Sequence, residues 1–172
     1  MKNKQIYKYI LHNVMANIIK GNELMVFLNN KPLAFATSHT FNLTGNSVDV
    51  SSKDHGVFGA SEIGSITWEI TSENLYVNEE SGIQAYDTLF DAMVARNPIT
   101  LVFGQASNYD ENGLVRGGNL DKNAPTEWSA PSTNYRTGQA VITSLSLNAN
   151  SGENATYSVT FTGSGAITKV TA

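Results

Sequence analysis

Two stretches near the C-terminus narrow the possible folds more than any other part of the chain. Ala155, Tyr157, Val159 and Phe161 alternate with Thr156, Ser158, Thr160 and Thr162, and Val141, Thr143, Leu145 and Leu147 alternate with smaller residues. Successive side chains of a strand point to opposite faces, so a period of two gives each strand a large apolar face and a small polar one. Ser151-Gly152 supplies a turn between the runs, which read as an antiparallel hairpin closing a sheet. A second hairpin is expected near the start. There Leu24, Val26 and Leu28 alternate with Met25 and Phe27, and Asn29-Asn30 follows, residues that tolerate the positive φ of a tight turn. The return strand puts Leu33, Phe35, Thr37, His39, Phe41 and Leu43 on one face and Ala34, Ala36, Ser38, Thr40 and Asn42 on the other. His39 lies on the apolar face, where a packing role is expected.

Between the hairpins, Val48 and Val50 suggest a short strand that leads into a mixed loop ending at Gly64. Ile66, Trp68 and Ile70 then alternate with Ser65, Thr67, Glu69 and Thr71 as a half-buried strand running on to Leu75-Tyr76-Val77. The period changes after Ser81, which has capping-box spacing to Gln84. Ile83, Tyr86, Leu89, Phe90, Met93 and Val94 form a helical stripe that ends at Asn97-Pro98. Ile99 to Phe103 reads as a short strand, and 106–133 is a long Asn/Gly/Asp-rich stretch with no period. Ile6, Ile10, Val14 and Ile18 recur at helical spacing, so 1–20 reads as an N-terminal extension or arm that packs on the body or a neighbour.

These features point to a mainly β fold, a β-sandwich or partly closed barrel of antiparallel strands with one flanking α-helix. A chain of 172 residues suits one β domain, 21–172, with long loops at 46–64 and 106–133. Charge is low and uneven. Residues 1–20 hold Lys2, Lys4, Lys8 and Lys20 and no acid, so of 11 basic residues 7 remain against 15 acids, a net of -8 over the rest. An acidic body repels phosphate, so a protein that grips nucleic acid is not expected. With no cysteine there is no disulfide framework and no thiolate metal site. His12, His39 and His55 lack the spacing of a metal site. Asp54-His55 has no nucleophile motif beside it. The Asn108 to Gly113 segment has the look of a calcium loop but Asn119 where a bidentate Glu is required, and Gly113 to Gly118 lacks a phosphate-loop lysine. Neither catalysis nor a cofactor is expected. Lys8, His12, Asn13 and Asn17 interrupt the early apolar run, so no signal peptide is expected, and no apolar stretch is long enough for a membrane span.

Taken in order, several segments carry a more specific signal. Gly21 to Leu33 followed by Ser38-His39-Thr40-Phe41-Asn42-Leu43 resembles the opening hairpin of phage major tail proteins, the tail-tube subunits of long-tailed, siphophage-type bacteriophages. Val48-Asp49-Val50-Ser51-Ser52-Lys53-Asp54 resembles that family's D-V-T-S-K-D segment, and Ser65 to Ile70 with Leu75-Tyr76-Val77 resembles its W-S-I-S-x-x-G-L-Y strand. Tyr135 to Leu147 and Ala155 to Gly165 resemble its closing hairpin, Y-x-G-x-A-x-I-T-S-L-S and A-T-Y-S-V-S-F-x-G-x-G. The resemblance runs from Gly21 to Thr168. It implies six subunits to a ring and rings stacked into a hollow tube that conducts DNA. It further implies tape-measure and tail-tip or terminator proteins as partners, transient non-specific passage of DNA, no membrane, and a place in the virion tail after assembly in the host cytoplasm. The tube of a contractile injection or type VI secretion apparatus is the nearest alternative, and a carbohydrate-binding β-sandwich a more distant one.

Two sets of residues become candidate sites under this reading. The 46–64 loop, with polar Ser51, Ser52, Lys53 and Asp54 and apolar Val57, Phe58 and Ile63, is expected to leave its own subunit and contact the next ring. The small polar face carrying Glu69, Thr156, Ser158, Thr160 and Thr162 is expected to line the channel.

Overall fold

In the computed structural model, which describes residues 19–33, 35–77, 84–107 and 128–171, the alternating runs become the strands of one sheet. In chain order these are β1 (Leu24–Leu28), β2 (Lys31–Pro32), β3 (Ala36–Asp49), β4 (Ser61–Leu75), the helix α1 (Tyr86–Ala95), β5 (Ile99–Gln105), β6 (Tyr135–Asn148) and β7 (Thr156–Val170). The seven strands lie in the order β2-β1-β5-β6-β7-β4-β3, and every pairing is antiparallel. Both expected hairpins are present. Asn29 and Asn30 take φ of 49° and 65° between β1 and β2, the mirror-image turn that matches strand twist. β6 and β7 pair along almost their whole length, from Tyr135 opposite Val170 to Asn148 opposite Thr156.

The ladder runs from edge to edge without closing into a barrel, but the sheet curls. Side chains of β3, at one edge, reach β1 and β5 near the other: the His39 ring lies edge-on to Phe103 with centroids 6.5 Å apart, and Phe41 stacks on Phe103 at 6.1 Å. The concave face holds the main core. Val26, Leu28, Leu101, Ile70, Val159 and Phe161 meet there, with Leu89 of α1 set against them. Trp68 crosses from β4 over β7 to β6. Its indole donates to the carbonyl of Gly165 at 2.9 Å and lies flat against Gly163 and Gly138.

The structure departs from the sequence reading at four places. β1 and β5 are buried on both faces, because Met25, Phe27, Val102 and Ala106 form a second apolar cluster with Trp128, Ala130 and Tyr135 on the reverse side. The expected strand from Leu33 to Leu43 is broken. Phe35 turns the chain at φ 46°, and the strand starts afresh at Ala36 with a register shift before Ser38. β3 and β4 run further than expected, leaving only 50–60 as loop. Finally, the helical stripe is only partly core: Leu89 is buried, whereas Phe90, Met93 and Val94 are exposed. The helix's N-cap is Ala85, and the Arg96 amide closes the other end in the left-handed region at φ 57°. The expected cap at Ser81, the N-terminal arm to residue 18 and the 106–133 loop from 108 to 127 lie outside the described residues.

Candidate assembly surfaces

The β3–β4 hairpin continues past the body of the sheet as an arm. β4 is paired to β7 only from Glu69 to Leu75, and its earlier residues pair with β3 alone. Leu43, Ile63 and Ile66 share the face that bears Trp68 and Ile70 further down, and all three are exposed, Ile63 to 70%. Ile63 packs across Gly45 at the register shift between Gly45 and Ser47. The alternation seen in the sequence therefore persists after the core has ended, and an apolar strip runs out along the arm with nothing among the described residues to bury it.

The tip of the arm is held by short polar contacts. The Ser51 amide donates to Asp49 Oδ1 at 2.8 Å, and the Ala60 amide donates to Ser51 Oγ at 2.8 Å. Asp49, although fully exposed, has its carboxyl held below the usual carboxylate range chiefly by hydrogen bonding from Ser51. Ser52 caps a single 3-10 turn, Lys53–His55: its Oγ accepts from the Asp54 amide at 3.3 Å, and its own amide donates to His55 Nδ1 at 3.0 Å. Gly56, at φ 65° and ψ -129°, then swings the chain so that Val57 and Phe58 project. They are 98% and 85% exposed. Covering one such phenylalanine is worth about 2 kcal/mol. The expected loop residues Ser51, Ser52, Lys53, Asp54, Val57 and Phe58 thus sit together at one tip, while Ile63 lies on β4 behind it.

The second candidate surface is the reverse face of β3, β4, β7 and β6. Glu69 is directly opposite Thr162, Thr71 opposite Thr160, Glu73 opposite Ser158 and Leu75 opposite Thr156. The five predicted residues therefore share one face, as the alternation requires. Their hydroxyls are partly paired with one another across strands: Ser146 Oγ and Ser158 Oγ are 2.6 Å apart, and Thr143 Oγ1 and Thr162 Oγ1 2.9 Å apart. The stretches 38–44, 65–75, 139–148 and 156–162 contain no lysine or arginine.

Burial on the opposite, concave face perturbs two titratable groups. Desolvation pushes His39 down to about 4, with its Nε2 3.4 Å from Met25 Sδ, so the ring is neutral at pH 7. Desolvation likewise raises Tyr157, which packs edge-on to Tyr86. Ser72 and Asn74, also buried there, bond to each other at 2.9 Å. Among the described residues no three His, Asp or Glu side chains converge as a metal site would require, and no helix is long and apolar enough to cross a membrane.

Among the described residues the chain is thus a curled antiparallel sheet with one flanking helix and an arm that carries exposed apolar side chains, with no cluster of catalytic or metal-binding groups. The family model described as phage tail tube protein matches residues 24–169, and the chain belongs to that family. It is a structural tail-tube protein. No curated protein sequence matches the chain. Its fold is similar to a subunit from the tail of an empty gene transfer agent particle, solved with C6 symmetry, at TM-score 0.62 and 13% identity, covering 90% of this chain and 100% of that one. It is similar to the SPP1 tail tube at TM-score 0.61 and 11% identity, over 90% of this chain and 80% of the other. A chain of the anti-feeding prophage baseplate, 6-fold symmetrised, matches at TM-score 0.57 and 12% identity over 91% and 98%.

Proposed function

We propose that six copies of this chain close into a ring, that rings stack head to tail through the β3–β4 arm, and that the stacked rings form the conduit through which phage DNA leaves. The observation that carries this reading is the arm itself: Val57 and Phe58 at its tip and Leu43, Ile63 and Ile66 along its length are exposed apolar groups on an ordered hairpin. Such a strip is unfavourable in water and becomes favourable when another copy covers it. A contact between unlike surfaces closes into a ring where its rotation completes a circle, and one that carries each copy along an axis instead propagates into a filament, as stacking requires. The six-fold symmetry of two of the similar structures supports the ring number.

The face carrying Glu69, Thr156, Ser158, Thr160 and Thr162 is assigned to the lumen. Short hydroxyls and carboxylates offer DNA few cations, whereas each lysine would add about one phosphate contact and a salt-dependent hold. Tape-measure and tail-tip or terminator proteins are the partners that set length and ends, and assembly takes place in the host cytoplasm. Purified full-length protein, alone or seeded with tail tips, is expected to form rings or tubes in negative-stain images. Monomers only, across salt and concentration, would overturn the reading. The likeness to the anti-feeding prophage chain keeps a contractile injection tube as the second reading, separated from the first by whether a sheath protein co-assembles.

A further inference from the structure

Three buried polar atoms in the concave core have no hydrogen-bond partner among the described residues: His39 Nδ1, Asn74 Nδ2 and Tyr157 Oη. They belong to three adjacent strands, β3, β4 and β7, and the register brings them together. His39 is directly opposite Ser72, and Asn74 is directly opposite Tyr157. Ser72 and Asn74 stand two apart on β4, so all four side chains share one face. Ser72 Oγ donates to Asn74 Oδ1 at 2.9 Å, which fixes that amide and leaves its Nδ2 over. Directly opposed side chains start about 5 Å apart and second neighbours along a strand about 7 Å, so the patch is small. Solvent does not reach it: Asn74 is 1% exposed and Ser72 and Tyr157 are 0%. The ladder is irregular just there, with a register shift between Ala36, opposite Asn74, and Ser38, opposite Glu73. An extra residue in one strand loosens the pairing locally and makes room.

We propose that this patch is a site for ordered internal water, in which one molecule accepts from Asn74 Nδ2 and donates to Tyr157 Oη, and a short file continues to His39 Nδ1. The inventory of donors and acceptors selects water over an ion. Asn74 Nδ2 can only donate. His39 Nε2 lies 3.4 Å from Met25 Sδ, which can only accept, so the ring proton sits on Nε2 and Nδ1 is an acceptor. Tyr157 Oη does both. A cation would be opposed by the amide N–H and an anion by the imidazole lone pair, whereas water supplies two donors and two acceptors. Left dry, the three groups would forfeit the hydrogen bonds they make to solvent in the unfolded chain. Buried waters occur about once per 27 residues and typically satisfy about three such groups each. The bridge ties the β3–β4 hairpin to β7 through side chains as well as through the ladder, and it does so whether or not the chain is assembled.

The test uses the full-length protein. Tyr157→Phe removes the hydroxyl and keeps the ring that packs on Tyr86. A hydroxyl bonded to water is stabilising, so the urea midpoint is expected to fall by about 0.5 M. An unchanged or raised midpoint would show that the hydroxyl has no partner and would overturn the proposal. In an Asn74→Ala background the same change should lower the midpoint by less than half as much, because the shared water has already lost its anchor. Equal shifts in both backgrounds would overturn the bridge. Should Asn74→Ala fail to fold, a map of the unaltered protein sharp enough to show ordered solvent decides. It should hold a water peak within hydrogen-bond distance of both Asn74 Nδ2 and Tyr157 Oη, and a map with none there, or with one that touches a single group, would overturn the bridge.

Discussion

At Gly163 the backbone of β7 passes directly beneath the Trp68 indole, and any Cβ there would collide with the ring. Gly138 gives the same clearance on β6, where a Cβ would fall 2.7 Å from Trp68 Cζ2. The expected outcome of Gly163→Ala is a loss of about 1–3 kcal/mol in urea unfolding, since a closely packed core cannot move the indole without strain. Its tryptophan fluorescence should shift as Trp68 moves. His39 gives a second residue-scale prediction. Its folded-state value, about 4, lies below the ordinary 6.5, so folding favours the neutral ring. Stability from this source is complete above pH 6.5 and falls as the pH drops toward 4, by about 3 kcal/mol in all. Denaturation midpoints measured from pH 7 to pH 4.5 should decline, and His39→Phe should flatten that slope. The sequence placed His39 on an apolar face correctly. It gave no sign that Met25 and Phe103 would enclose the ring, because those contacts depend on the curl of the whole sheet.

Among the elements, the arm and the helix show where pattern reading succeeds and where it stops. Alternation located β4, β6 and β7, and the Asn29-Asn30 turn, because periodicity and turn chemistry are local properties. The exposure of Phe90, Met93 and Val94 was invisible to the same reasoning: a stripe at helical spacing looks identical whether its own core or another chain covers it. The double burial of β1 and β5 was hidden for the converse reason, since the second cluster that covers them comes from Trp128, Ala130 and Tyr135, distant in sequence. Deleting Lys53 to Gly59 is expected to yield a folded monomer with an unchanged β-rich circular dichroism spectrum and no tubes by electron microscopy. Normal tubes from that variant would remove the arm from the stacking contact.

For the whole molecule, the polar face of β3, β4, β7 and β6 is the surface proposed above to line the lumen, and a change of its charge tests that assignment. Ser158→Lys combined with Thr160→Lys should leave assembly intact, because both side chains lie off the concave core on the reverse face. Genome delivery by tails carrying the pair should slow, and more so at low salt, as expected when cations line a passage for a polyanion. Unchanged delivery from tails shown to be assembled would put this face on the exterior. The strand order has a further consequence, in time rather than space. β7 lies between β6 and β4 in the sheet, yet among the described strands it comes last in sequence. A ribosome adding 5–20 residues per second reaches Thr156 roughly 4–16 s after Leu75. Through that interval the β3–β4 hairpin, whose pairing is local, has its partner strand while the sheet it belongs to does not. A chain abandoned in that window carries the arm but has no β7 to join its two halves, so translation itself withholds the completed sheet until β7 has been made.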